Sequence, residues 1–165
     1  MASPHRFGYL LVHFVEDPHG HGAQIYFSLS DGDDPLTWDR LNGGRPVLTS
    51  HIGTTGVRDP HIIRAEDGWF HIVATDLRVW RTAGQDWEEF RRHGSRSIRI
   101  WDSPDLLSWQ GPRSVEVAPP SAGMAWAPET VLDPATGEYV LHFASALYAD
   151  DDPGHKGPAL AQLLT

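Results

Sequence analysis

The sequence predicts an all-β fold, a β-propeller with two and a half to three blades present. Three observations carry that expectation. A run of apolar and aromatic residues opened by glycine recurs at Gly8, Gly68 and Gly137, at intervals of 60 and 69 residues. The tryptophans that close the first two units, Trp38 and Trp109, lie 71 residues apart. The runs are short, β-branched and aromatic, broken by Gly, Pro and Asp, and helical periodicity is nearly absent. Short antiparallel sheets recurring at a fixed period are the signature of propeller blades.

The elements follow in order. The first unit, residues 8–55, reads as a strand over Gly8–Phe14, a Gly/His-rich loop, a strand over Gln24–Ser30, and the closing Thr37-Trp38. The second, residues 56–118, opens on Arg58-Asp59-Pro60-His61 and turns at Gly68. It continues with strands over Trp69–Ala74 and Arg96–Trp101, closing on Ser103-Pro-Asp105-Leu-Leu-Ser-Trp109. Between those strands only Gly84–His93 has helical character. The third, residues 119–152, opens on Ala127-Pro128-Glu129, turns between Asp133 and Gly137, and continues through Tyr139–Ser145. Residues 153–165 show no strand alternation and read as an atypical tail. All three units belong to a single partial propeller domain.

At 165 residues the chain is long enough for one domain with a real core. A net charge of -9 argues against nucleic acid or an anionic membrane as partner, because both require basic patches. With no cysteine there is no disulfide, thiolate metal site or cysteine nucleophile. The start lacks a signal peptide's apolar region, and no run reaches the ~18–20 apolar residues of a membrane span. The expected location is cytoplasmic as written, or extracellular if the N-terminus is incomplete.

The stretch Trp126-Ala-Pro-Glu129 organises the candidate chemistry. Apolar neighbours are expected to desolvate Glu129 partly, which is how a carboxyl is kept protonated near neutrality. Pro-Glu before a strand is also ordinary turn chemistry. The second carboxylate, Asp59, stands at what reads as the same point of the preceding unit. In a propeller the first strands line the axis, so the two would converge on one mouth, a pattern that points to acid–base work.

These residues resemble glycoside hydrolase family 43, the five-bladed propeller glycosidases. The match is carried by Gln24–Ser30, Gly56–Arg64, Ser103–Trp109 and Trp126–Glu129, supported by Val73-Ala-Thr-Asp76, Gly94–Ile98 and Thr136–Tyr139. The resemblance implies inverting hydrolysis of arabinosyl, xylosyl or galactosyl linkages in an oligo- or polysaccharide. It makes Glu129 the general acid and Asp59 the carboxylate that orients it and raises its pKa. The general base would hold a water on the far face of the sugar, roughly 6.5–9.5 Å from the acid. Arg58, His61, Trp126 and Asp76 are the expected substrate-binding residues, with Trp69 and Trp80 as further stacking surfaces. No metal or cofactor is implied.

Two departures bear on activity. The family's base is an Asp at the start of the first blade's inner strand, but the first recognisable strand here is already a blade's second. Glu16 or Asp17 is the nearest substitute, and Ala23 stands where relatives carry an acid before the matching glutamine. The length also suits an N-terminal fragment of a five-bladed ring, whose unpaired blade edge invites self-association. A non-catalytic carbohydrate-binding or interaction propeller is the competing reading, and an acidic group across the mouth from Glu129 discriminates the two. His13, His19 and His21 fit no standard metal spacing. Asp150–Asp152 lack the spaced ligands of a calcium loop, and no nucleophile elbow is present.

Overall fold

The computed structural model describes residues 8–16, 23–80 and 86–164. Among them are three antiparallel sheets. The first is built from β1 (Leu10–Val15), β2 (Gln24–Asp31) and β3 (Asp34–Arg40). The second contains β4 (Val57–Arg64), β5 (Phe70–Asp76), β6 (Ser97–Ser103) and β7 (Gln110–Glu116). The third contains β8 (Trp126–Asp133), β9 (Glu138–Leu147) and β10 (Ala161–Leu164). Neighbours in sequence are neighbours in each sheet, so every sheet is a meander. The fold is all-β, in the partial-propeller form that the repeats predict.

The two-residue side-chain period of β5 explains how the sheets stack. Ile72 and Ala74 face the first sheet and join Ile25, Phe27, Leu48, Val57 and Trp101. Val73 points the other way and joins Ile98, Ala122, Ala125 and Phe143. Both faces of the second sheet are therefore covered, and β5 is buried from Ile72 to Asp76. Each large apolar side chain removed from water there contributes about 1.5–3 kcal/mol.

The repeat extends to hydrogen bonds. The β4–β5 hairpin closes with the Gly68 amide donating to the Ala65 carbonyl at 2.9 Å, and β8–β9 with Gly137 donating to Asp133 at 2.8 Å. Both glycines have positive φ, 89° and 73°, which a side chain would resist. At the outer corners Trp38 Nε1 donates to the Pro35 carbonyl and Trp109 Nε1 to the Leu106 carbonyl. The Asp34 carboxylate caps the amide of Leu36, and Asp105 caps those of Leu107 and Ser108.

Trp38 lies within β3 and Trp109 directly precedes β7, each the last strand of its sheet; the second sheet has four strands and the first has three. Counted from this corner, β2 and β3 correspond to β6 and β7, so β1 corresponds to β5. Among the described residues the first sheet has no counterpart of β4. The helical stretch forms α1 (Trp87–His93), capped by the Asp86 carboxylate accepting the Glu89 amide at 3.1 Å. Phe90 anchors it on Leu77 and Val79. Among the described residues, no helix is long and apolar enough to cross a membrane.

The tail departs from expectation. Residues 161–164 form β10 on the open edge of β9, after the Leu160 amide donates to Leu147 at 2.7 Å. Four residues are too few for an alternation signal. The preceding turn is held by His155, buried and stacked 4.4 Å from Tyr148. Its Nδ1 meets the Arg92 carbonyl at 2.6 Å.

Candidate active site

Asp59 and Glu129 do not occupy the same point of their sheets. On β4, Arg58 lies opposite Thr75 and His61 opposite Val73, with the ladder slipping between them. On β8, Trp126 lies opposite Ala144 and Glu129 opposite His142, with the same slip. The bulged pairs are Asp59-Pro60 and Ala127-Pro128. Asp59 is therefore equivalent to Ala127, and Glu129 to His61. Sequence comparison aligned the carboxylates rather than the prolines.

Asp59 and Ala127 both have φ of 49°, a conformation that costs a non-glycine residue of order 1–3 kcal/mol. The second sheet holds both. Thr75 is fully buried. Its Oγ1 donates to Asp59 Oδ2 at 2.9 Å and accepts the Ala127 amide at 2.8 Å. Such bonds contribute about 0.5–1.5 kcal/mol each, comparable with the strain they oppose.

Glu129 is exposed, its side chain 63 % accessible, where partial desolvation was expected. It alternates along β8 with the buried Pro128. Its Oε2 lies 3.2 Å from His142 Nε2, the residue directly across the hairpin. The Asp133–Gly137 turn sets that register, so His142 was findable from sequence once the turn was fixed.

Glu16 follows β1 and is partly exposed. Its Oε1 lies 3.6 Å from Arg58 Nη1, within ion-pair but beyond hydrogen-bond range, and Arg58 Nη1 is buried without a hydrogen-bond partner. The guanidinium also covers the Phe14 ring at 4.6 Å. Arg58 thus tethers Glu16 to the strand that carries Asp59. Glu16 stands eight residues after its opening glycine, as do Asp76 and Ser145 after theirs. It sits at a second-strand end, not at an inner-strand start. Asp17 lies outside the described residues, as do His19 and His21, while His13 meets Ser28 Oγ and stacks on Tyr26.

The remaining expected binding residues are occupied otherwise. Asp76 is 2 % exposed and pairs with the equally buried Arg99 at 2.5 Å. Thr54 caps it with its amide and hydroxyl, at 3.0 and 2.9 Å. Asp76 holds the loop before β4 in place and has no free face for a sugar. His61 Nε2 is 3.0 Å from the Thr130 carbonyl, stitching β4 to β8. The Trp126 ring packs edge-on to Trp87 at 6.3 Å and lies against two apolar clusters, which accounts for its position without a sugar. Trp69 belongs to the β4–β5 turn, at the far end of the strand from Asp59. Thr75, Arg99 and His142 were not singled out in the sequence.

Three meander sheets, with Asp59 in the bulge of β4 and Glu129 directly after the bulge of β8, make a partial propeller whose class comparison with known proteins supplies. Residues 5–165 match the family described as a probable glycosyl hydrolase domain, related to glycoside hydrolase family 43, and the chain belongs to that family. An alpha-L-arabinofuranosidase of Bifidobacterium longum subsp. longum is 32% identical over 150 residues, covering 87% of this chain and 14% of its own length. The crystal structure of an alpha-L-arabinofuranosidase from Lactobacillus brevis superposes with a TM-score of 0.54 at 14% identity. It covers 99% of this chain and 49% of that one, a likeness of fold. The chain therefore spans a minor part of the first relative and about half of the second.

Proposed function

We propose that the chain contributes the acid side of a glycosidase site that hydrolyses arabinofuranosyl linkages of an oligo- or polysaccharide with inversion. The observation that carries this is the coupling of Asp59 to the bulge just before Glu129 through one buried hydroxyl. Glu129, exposed at the head of an inner strand and next to His142, protonates the departing oxygen. Asp59 lies within the same hydrogen-bonded assembly, and Glu16, held near β4 by Arg58, is the carboxylate we assign to activating water. The arabinofuranosyl preference is supported by the 32% identical relative, which carries the name alpha-L-arabinofuranosidase. Xylosyl and galactosyl glycosides are the alternatives.

Hydrolysis of aryl α-L-arabinofuranoside, β-D-xyloside and β-D-galactoside by the 165-residue chain, followed by proton NMR of the first-formed anomer, tests this. Preferential release of arabinose with inverted configuration is the expected result. Carbohydrate binding without turnover of any of the three would instead make the domain a binding module.

A further inference from the structure

We infer that Thr75 is a positioning residue for hydrolysis, holding the acid-bearing strand in register with Asp59. The inference rests on the reading of Asp59 and Glu129 as a catalytic pair. Thr75 lies on β5, in neither motif that drew attention to the site, and carries no charge. Its one hydroxyl nonetheless touches both motifs.

The hydrogen-bond polarity is fixed. The Ala127 amide can only donate, so it takes a lone pair of Thr75 Oγ1 at 2.8 Å. The threonine proton is then left for Asp59 Oδ2 at 2.9 Å, and that oxygen must accept. The chain from amide to hydroxyl to carboxylate runs one way, each bond polarising the next. Asp59 is held with Oδ2 turned into the sheet. Ala127 stands two residues before Glu129, in the bulge that precedes it, so the bond that fixes its amide also fixes where the acid's strand resumes its ladder.

Removing the hydroxyl frees both ends. Valine keeps the shape and burial of Thr75 but leaves the Ala127 amide and Asp59 Oδ2 without this partner. Serine keeps the hydroxyl and drops a methyl group. A packing role would make serine, which loses the methyl, the worse substitution; a positioning role makes valine the worse one.

The test compares Thr75→Val and Thr75→Ser with the unaltered chain in two measurements. In amide hydrogen exchange, the Ala127 amide is expected to exchange about tenfold or more faster in T75V and near the original rate in T75S. In hydrolysis of 4-nitrophenyl α-L-arabinofuranoside, kcat is expected to fall about 10- to 100-fold in T75V, with KM little changed and recovery in T75S. Unchanged Ala127 exchange in T75V overturns the inference, as does equal loss of kcat in both variants. If the unaltered chain hydrolyses none of the glycosides, the catalytic reading falls, while Ala127 exchange still decides whether Thr75 couples the two strand heads.

Discussion

Asp59 and Ala127 are structural equivalents in successive sheets, each at φ of 49° immediately before a proline in a bulge that sets two residues opposite one. This equivalence makes β8 a copy of β4 in which the carboxylate, Glu129, lies two residues further on. A bulge re-aims the side chains that follow it. Glu129 is exposed while Pro128 beside it is buried, whereas His61, its equivalent on β4, is half-buried.

The positive φ at Ala127 yields a stability prediction. Ala127→Gly should be neutral or stabilising, because glycine adopts this conformation freely. Ala127→Val should destabilise by about 1–3 kcal/mol. Urea unfolding of the two variants checks the ordering, and valine matching glycine would show that the conformation is not maintained in solution.

The Asp76–Arg99 pair is sealed by Gly53, where an added Cβ would stand 1.7 Å from Arg99 Nη2 and 2.4 Å from Asp76 Oδ2. Gly53 also has φ of 61°. Gly53→Ala is therefore expected to destabilise by about 2–4 kcal/mol through overpacking and backbone strain. Asp76→Asn should cost about 3–5 kcal/mol by leaving Arg99 buried without its counter-charge. Thermal unfolding reads both, and an Asp76→Asn variant of unaltered stability would return Asp76 to the surface.

The corner aspartates predict acid sensitivity. The Leu36 amide and Thr37 hydroxyl hold the Asp34 carboxyl below its usual pKa, and the Ser108 and Leu107 amides do the same for Asp105. At Asp102, burial raises the carboxyl, but hydrogen bonds from Arg113 and His71 outweigh it and the net shift is downward. A lowered folded-state pKa gives stability that is complete above the unfolded value of about 3.9 and lost as pH falls through the folded one. The thermal midpoint should therefore drop below about pH 4, and less steeply in the Asp34→Asn/Asp105→Asn double variant. Identical slopes would remove these corners as the cause.

The blades were legible because their signals are local. Gly68 and Gly137 mark hairpins by conformational need, and Trp38 and Asp105…Trp109 mark corners; the cap at the first corner, Asp34, emerges only from the structure. The site was legible only as far as its motifs. Trp126–Glu129 and Arg58–Pro60 stood out as strings, but their true alignment depends on where each ladder slips, which no spacing reveals. Thr75 reads as an ordinary β-branched strand residue until the two bulges are seen on either side of its hydroxyl. Asp76, counted as a binding residue from the sequence, meets its counter-charge only after β5 and β6 pair. The strand β10 was missed because four residues carry no period.

Whether Glu129 is the proton donor is settled most directly by how its loss depends on the leaving group. An acid is needed when the departing oxygen is basic and dispensable when it leaves readily as an anion. Glu129→Gln should therefore lower kcat/KM for an alkyl arabinofuranoside by about 10²- to 10⁴-fold. The loss for the 2,4-dinitrophenyl arabinofuranoside should be far smaller, about tenfold or less. Equal losses on both substrates, or full activity of the variant on the alkyl glycoside, would contradict the assignment.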